Sequence, residues 1–140
     1  MTATQALPVV PARIRPPFHM LVVDDTASVL AGLCRLLESQ SRIRVVGTAT
    51  HGNEALQMAE VLRPDVVLMD LNLPLVDGLQ TTAMLRSRLP DIRVIIMSVD
   101  DSLEAQAAAR AHGAHGFIWK PQMMSVLMTE ISRAFQLNLN

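Results

Sequence analysis

The residues best suited to chemistry in this chain are Asp24, Asp25, Asp70, Ser98 and Lys120, and each directly follows a short apolar run. Leu21-Val22-Val23 stops at Asp24-Asp25, Val66-Val67-Leu68-Met69 at Asp70, Val94-Ile95-Ile96-Met97 at Ser98, and Phe117-Ile118-Trp119 at Lys120-Pro121. A carboxylate that attacks phosphorus must approach an anionic group, so a hard cation is needed to neutralise charge and align oxygens. Mg²⁺ prefers carboxylate, carbonyl and water ligands, and Mn²⁺ accepts the same set. Asp25 and Asp70 are the expected direct ligands, with Asp24 acting through a metal-bound water. Without metal, acids this close repel, and at least one should have a raised pKa. Lys120 offers a compact positive charge for a phosphoryl oxygen and a partner for Asp70 when no phosphate is present; Ser98 offers one hydroxyl hydrogen bond.

These residues can act together only if the chain folds their runs side by side. Each run is continuously apolar, short and rich in β-branched residues, which reads as a strand buried on both faces. In an open parallel sheet such strand ends converge at one edge. Between the strands the periodicity is helical: Val29, Leu30, Leu33, Leu36 and Leu37 mark a first helix, and residues 53–63 a second that ends at Pro64. Arg42 to Thr48 reads as the second strand. Asp77 with Gln80 three residues on, and Asp101 with Glu104, give capping signals for a third and a fourth helix. Pro90 stops the third, Gly113 suits the left-handed position after the fourth, and a fifth runs from about Met123 to Gln136. Five βα units imply a doubly wound α/β fold with helices on both faces of the sheet. Pattern alone does not set strand order; 2-1-3-4-5 is the common flavodoxin-like arrangement at this size.

With these features in place, the chain resembles the receiver domain of two-component response regulators. The resemblance rests on Asp24-Asp25, Asp70, Asn72 with Pro74, Asp77-Gly78, Ser98, and Phe117 with Lys120-Pro121, and covers roughly His19 to Gln136. It implies a (βα)5 domain spanning 18–140, in which Asp70 accepts a phosphoryl group from a histidine kinase, a phosphotransfer protein or a small phosphodonor. It also implies that the Asn72 backbone carbonyl joins the metal ligands, that Ser98 moves toward the phosphate, and that Phe117 turns inward as the second switch residue. Lys120-Pro121 resembles the family's cis peptide. The contact surface implied, for an output protein or a second copy, is the fourth helix, fifth strand and fifth helix. Three positions depart from the commonest pattern: Val99 where a small residue is usual, His115 in the turn before the fifth strand, and Phe117 without a tyrosine hydroxyl.

Composition narrows the classes further. The chain has 140 residues, half of them apolar, enough for one core. A net charge of -1 gives no electrostatic reason to expect nucleic acid or an anionic membrane as a partner. No apolar run is long enough for a bilayer, and Met1 to Pro17 lacks a secretory signal. The four prolines of that segment read as a flexible tail over 1–17, with Leu7 to Pro11 as an alternative docking peptide. The lone Cys34 reads as core filler in a reducing cytoplasm. Nothing after Gln136 suggests an effector domain, so output is expected through partners and no catalytic turnover beyond self-phosphorylation and dephosphorylation. Competing classes are a receiver-like interaction scaffold that is never phosphorylated, a metal-dependent phosphohydrolase, and a flavin binder. The intact acids with Lys120 disfavour the first, and the absence of a second acid two residues after Asp24-Asp25, or of a Ser/Thr-rich phosphate loop, disfavours the others.

Overall fold

Alternate residues of the central strands enter two separate cores, and this division arranges the whole chain. The computed structural model describes residues 16–139, with side chains through Phe135; most of the proposed tail lies outside the described residues. The elements in order are β1 (Phe18–Val23), α1 (Ala27–Glu38), β2 (Ile43–Ala49), α2 (Gly52–Leu62), β3 (Val66–Asp70), α3 (Gly78–Arg88), β4 (Arg93–Ser98), α4 (Leu103–Ala111), β5 (Gly116–Trp119) and α5 (Met123–Leu139). All strand pairs are parallel and the order is β2-β1-β3-β4-β5. Met20, Val22, Val66, Leu68, Ile95 and Met97 face a core completed by α1 and α5, through Leu30, Leu37, Leu127, Ile131 and Phe135. Leu21, Val23, Val67, Met69, Val94 and Ile96 face the other, completed by α2, α3 and α4 through Leu56, Leu85 and Ala109. Each buried aliphatic side chain contributes about 1.5–3 kcal/mol relative to exposure, so the two cores hold the sheet from both sides.

The strands differ in how closely they follow the expectation of burial on both faces. β3 and β4 are buried along their full length. β5 is an edge strand in which only Ile118 is fully buried, because no strand among the described residues pairs with its outer side. In α1, Leu30 and Leu37 face the sheet with Leu33 beside them, whereas Val29 and Leu36, expected on the same apolar stripe, are 47% and 53% exposed.

The helix termini show where local chemistry differs from the simplest pattern. Asp77 caps α3 as expected, its Oδ1 accepting from the Gln80 amide at 2.8 Å. The cap of α4 is Ser102 and not Asp101: Asp100 Oδ1 accepts from the Ser102 amide, and the Ser102 hydroxyl then accepts from the Ala105 amide. His51 caps α2, its Nδ1 accepting from the Glu54 amide at 3.2 Å, while Glu54 Oε1 accepts from the Thr50 amide at 2.8 Å. α2 ends at Leu62 because Arg63, directly before Pro64, is left-handed at φ 49°. Gly113 takes φ 99° after α4, the conformation foreseen for it.

His115 extends the β4–β5 ladder with its side chain. Its amide donates to the Val94 carbonyl at 2.7 Å, and the Val94 amide donates to His115 Nδ1 at 3.0 Å. Burial first, then Arg86 and Arg93, pushes its pKa down from 6.5 to about 4. The unfolded chain therefore binds a proton over this window that the folded chain refuses. The associated stability is present above pH 6.5 and is lost as pH falls toward 4. Urea unfolding between pH 7.5 and 4.5 should show a larger loss in the wild type than in His115→Asn, which keeps an acceptor but has no titrating ring. Equal losses would show that His115 titrates alike in the folded and the unfolded chain.

Candidate functional site

The end of each central strand carries one polar group into the same edge of the sheet. β1 runs out at Val23, and Asp24 follows with only 2% of its surface exposed. Its Oδ1 accepts from the Thr26 amide at 3.0 Å, which turns the chain into α1, and its Oδ2 accepts from Lys120 Nζ at 3.1 Å. Asp70 ends β3 at 5% exposure. Its Oδ1 accepts from the Asn72 amide at 3.1 Å, and its Oδ2 lies 3.4 Å from the same Lys120 nitrogen. Asp25 is exposed. One oxygen from each of Asp24, Asp25 and Asp70 lies within 4.8 Å of the others. Lys120 thus bridges two buried carboxylates, where the sequence suggested Asp70 alone.

Close packing of the loop after β3 fixes the end of the strand at Asp70. The Gly78 amide donates to the Leu71 carbonyl at 3.1 Å, and the Leu71 amide donates to the Met97 carbonyl at 2.9 Å. A Cβ at position 78 would collide with the Asp70 carbonyl oxygen, so glycine is required there to let α3 begin against the strand end. Leu75 occupies the left-handed region at φ 66° in the intervening loop.

Charge in this pocket is unevenly accommodated. Burial raises the Asp70 pKa above the usual carboxylate value; the Asn72 amide and Lys120 oppose that rise, and Asp24 adds to it. Burial acts to lower the Lys120 pKa, but its hydrogen bond to Asp24 and the nearby carboxylates outweigh burial, and the net shift is upward. The ammonium is therefore fixed as a cation, while Asp70 is the acid whose ionisation costs the fold.

The remaining candidates lie close by but have different parity. Asp24, Asp70 and Lys120 fall on the alternation that faces α1 and α5; Ser98, Phe117 and Trp119 fall on the opposite alternation. Ser98 is fully buried, and its Oγ accepts from the Asp100 amide at 2.9 Å. Phe117 is half-buried against the second core, with its amide donating to Glu130 Oε1 at 3.3 Å. The Lys120–Pro121 bond is trans, contrary to expectation. Lys120–Gln122 forms a single 3-10 turn leading into α5, and proline in a first helical turn needs no amide donor and suits the turn's backbone in the ordinary trans form. Burial followed by Glu38 raises the Cys34 thiol pKa, which keeps it an inert packing group. No helix among the described residues is long and apolar enough to cross a membrane.

Residues 20–132 match the family model for the response regulator receiver domain. The chain belongs to this family. It is 38% identical over 106 residues to the transcriptional regulatory protein MctR of Rhizobium johnstonii, covering 76% of this chain and 50% of that protein. It is 32% identical over 118 residues to the nitrate/nitrite response regulator NarL of Escherichia coli, covering 84% and 55% respectively. The chain thus spans about half the length of these relatives. Among solved structures, the response regulator domain of Thermotoga maritima CheB superposes with a TM-score of 0.76 at 31% identity, covering 85% of this chain and 96% of that one. The receiver fold expected from the alternating strands and helices is therefore the one observed, in the order 2-1-3-4-5. Receiver domains of two-component systems are phosphorylated and Mg²⁺-dependent as a family, and in this receiver Asp24, Asp25 and Asp70 gather at one edge of the sheet.

The raised pKa of Asp70 gives this receiver a testable signature. The folded chain holds a proton on Asp70 at a pH where the unfolded chain has released it, so stability falls as pH rises through that window and stays reduced at neutral pH. Asp70→Asn should therefore raise the midpoint of thermal unfolding at pH 7 in EDTA. A lower midpoint would mean that Lys120 overcompensates the burial of the charge.

Proposed function

We propose that this receiver is a Mg²⁺-dependent phosphoacceptor in two-component signalling, modified on Asp70. The observation that supports this reading most directly is the Asp24–Lys120–Asp70 arrangement, with Asp25 alongside. A buried carboxylate with one oxygen on the Asn72 amide and the other on an ammonium is oriented and kept from random encounters with solvent.

In the proposed step an Asp70 oxygen forms a bond to phosphorus. The bond from phosphorus to the donor breaks, and its electron pair leaves on the imidazole nitrogen of a phosphohistidine or the oxygen of an acyl phosphate. The product is an acyl phosphate on Asp70. The clustered acids fit a hard cation; in this reading Asp25, Asp70 and the Asn72 carbonyl would hold it directly and Asp24 through water. Mg²⁺ bound there, with Mn²⁺ as the alternative, would neutralise phosphoryl charge. Lys120 then exchanges its Asp70 contact for a phosphoryl oxygen while keeping Asp24, and Ser98 turns its hydroxyl toward a second oxygen. Phe117 moves inward behind it, and the altered surface of α4, β5 and α5 engages an output protein or a second copy. A histidine kinase or phosphotransfer protein is the donor partner, acting in the cytoplasm, and the chain itself carries out no catalysis beyond its own phosphorylation and dephosphorylation.

Intact-mass measurement after incubation with acetyl phosphate and Mg²⁺ tests the reading. The protein should gain one phosphoryl group, and Asp70→Asn should gain none. No gain in the wild type would leave a passive interaction scaffold as the better account. Titration calorimetry on Asp25→Ala should show Mg²⁺ affinity reduced at least about ten-fold, with phosphorylation stopped and thermal stability retained. Unchanged affinity would remove Asp25 from the ligand set.

A further inference from the structure

Trp119 and Ser98 are the last paired residues of β5 and β4. Just beyond that pair, one peptide unit is held from both ends. The carbonyl of Val99 accepts from the Trp119 indole Nε1–H at 3.1 Å. The amide of Asp100, the other half of the same planar unit, donates to Ser98 Oγ at 2.9 Å. Because the unit is rigid, a rotation that frees the amide from Ser98 also swings the carbonyl away from the indole. We infer that Trp119 is a positioning residue that latches Ser98 in its resting orientation through the Val99–Asp100 peptide. This inference rests on the proposed phosphoacceptor reading, in which Ser98 must turn toward a phosphoryl oxygen on Asp70.

The rest of the loop supports a latch with mechanical reach. Val99 is 67% exposed, so its side chain does little to fix the peptide, and the indole hydrogen bond is the restraint on its carbonyl side. Asp100 Oδ1 accepts from the Ser102 amide, and Ser102 caps α4. Rotation of the peptide therefore passes directly to the start of α4. Trp119 acts on the equilibrium between resting and engaged Ser98, while the acids and Lys120 are untouched by it.

Trp119→Phe keeps an aromatic ring and deletes the donor. Because a net hydrogen bond of typical strength corresponds to about a two- to ten-fold change in an equilibrium, its loss should tighten beryllofluoride binding by that factor in fluorine-19 NMR titrations with saturating Mg²⁺. Affinity for Mg²⁺ alone should be unchanged. The decisive comparison is in the Ser98→Ala background, where the peptide has no hydroxyl to hold and Trp119→Phe should have no effect on beryllofluoride affinity. A purely structural role for the tryptophan would give equal effects in both backgrounds and overturn the latch, as would unchanged or weakened binding in Trp119→Phe alone. The Val99 carbonyl carbon resonance should also move in Trp119→Phe; if it does not, the hydrogen bond is absent in solution and the latch falls. A wild type that binds Mg²⁺ but neither binds beryllofluoride nor gains a phosphoryl group would overturn the phosphoacceptor reading and the latch with it. Failure of the latch alone is distinct, because the wild type would still be phosphorylated.

Discussion

Two nearly solvent-free carboxylates share one ammonium, and the topology of the chain is what allows this. Asp24 and Asp70 end adjacent strands, β1 and β3, so their approach follows from sheet pairing. Lys120 follows β5, which is separated from β3 by β4. Adjacent strands lie about 4.8 Å apart, so the ammonium must reach roughly 10 Å across the sheet edge to Asp70 and farther to Asp24. The long lysine stem, the two aspartate arms and the 3.1 and 3.4 Å contacts between them cover that gap together, where a shorter cation would not. An unpaired buried carboxylate would be severely penalised, and a single shared cation offsets two of them only because both strand ends open toward it. Strand order, the trans turn at Lys120–Pro121 and the close approach of Gly78 all serve this one geometry.

The parts of the molecule governed by periodicity were readable from sequence. Continuous apolar runs identified the strands, and the acids at their ends marked the edge where they gather, because a charged residue after such a run lies where the strand leaves the core. The Asp77 cap and the Gly113 terminus were readable for the same kind of reason, each being a residue type with a local conformational role. The roles of His51 and His115 were not readable. Each offers Nδ1 to a backbone amide, and a histidine in that role has no spacing signature that separates it from a solvated one. The cap of α4 was misplaced by one residue because Asp101 and Ser102 both suit the position, and the choice was made by Asp100, which already holds the Ser102 amide. The Lys120–Pro121 isomer depended on the turn into α5, which no local pattern specifies. The exposure of Val29 and Leu36 reflects a helix that packs a narrower stripe against the sheet than its apolar content suggests.

The loop after β4 shows how little is needed to join a strand end to a helix. Ser98, Asp100 and Ser102 each accept from an amide two or three residues farther on, so the segment is a relay of short polar side chains with no apolar anchor of its own. Such a segment is well ordered when every bond is made, yet each bond is individually weak and easily exchanged for another of the same kind. The loop after β3 is the opposite case, pinned by backbone hydrogen bonds and by the absence of room at Gly78. The Asp70 side of the pocket is thus pinned, and the compliance of the site is concentrated beside Ser98.

The alternation of side chains along the strands also bears on how such a domain can diverge. Asp24, Asp70 and Lys120 lie on one parity, and Ser98, Phe117 and Trp119 lie on the other, with the sheet between them as a partition. Phe117 and Trp119, on the second parity, can be exchanged without placing a new atom among Asp24, Asp70 and Lys120. Descendants of one ancestral sheet can therefore acquire different responses, thresholds and contacts on that side while inheriting the same charged edge unaltered, and a one-residue slip in a strand, which would mix the two sets, is opposed by both cores at once.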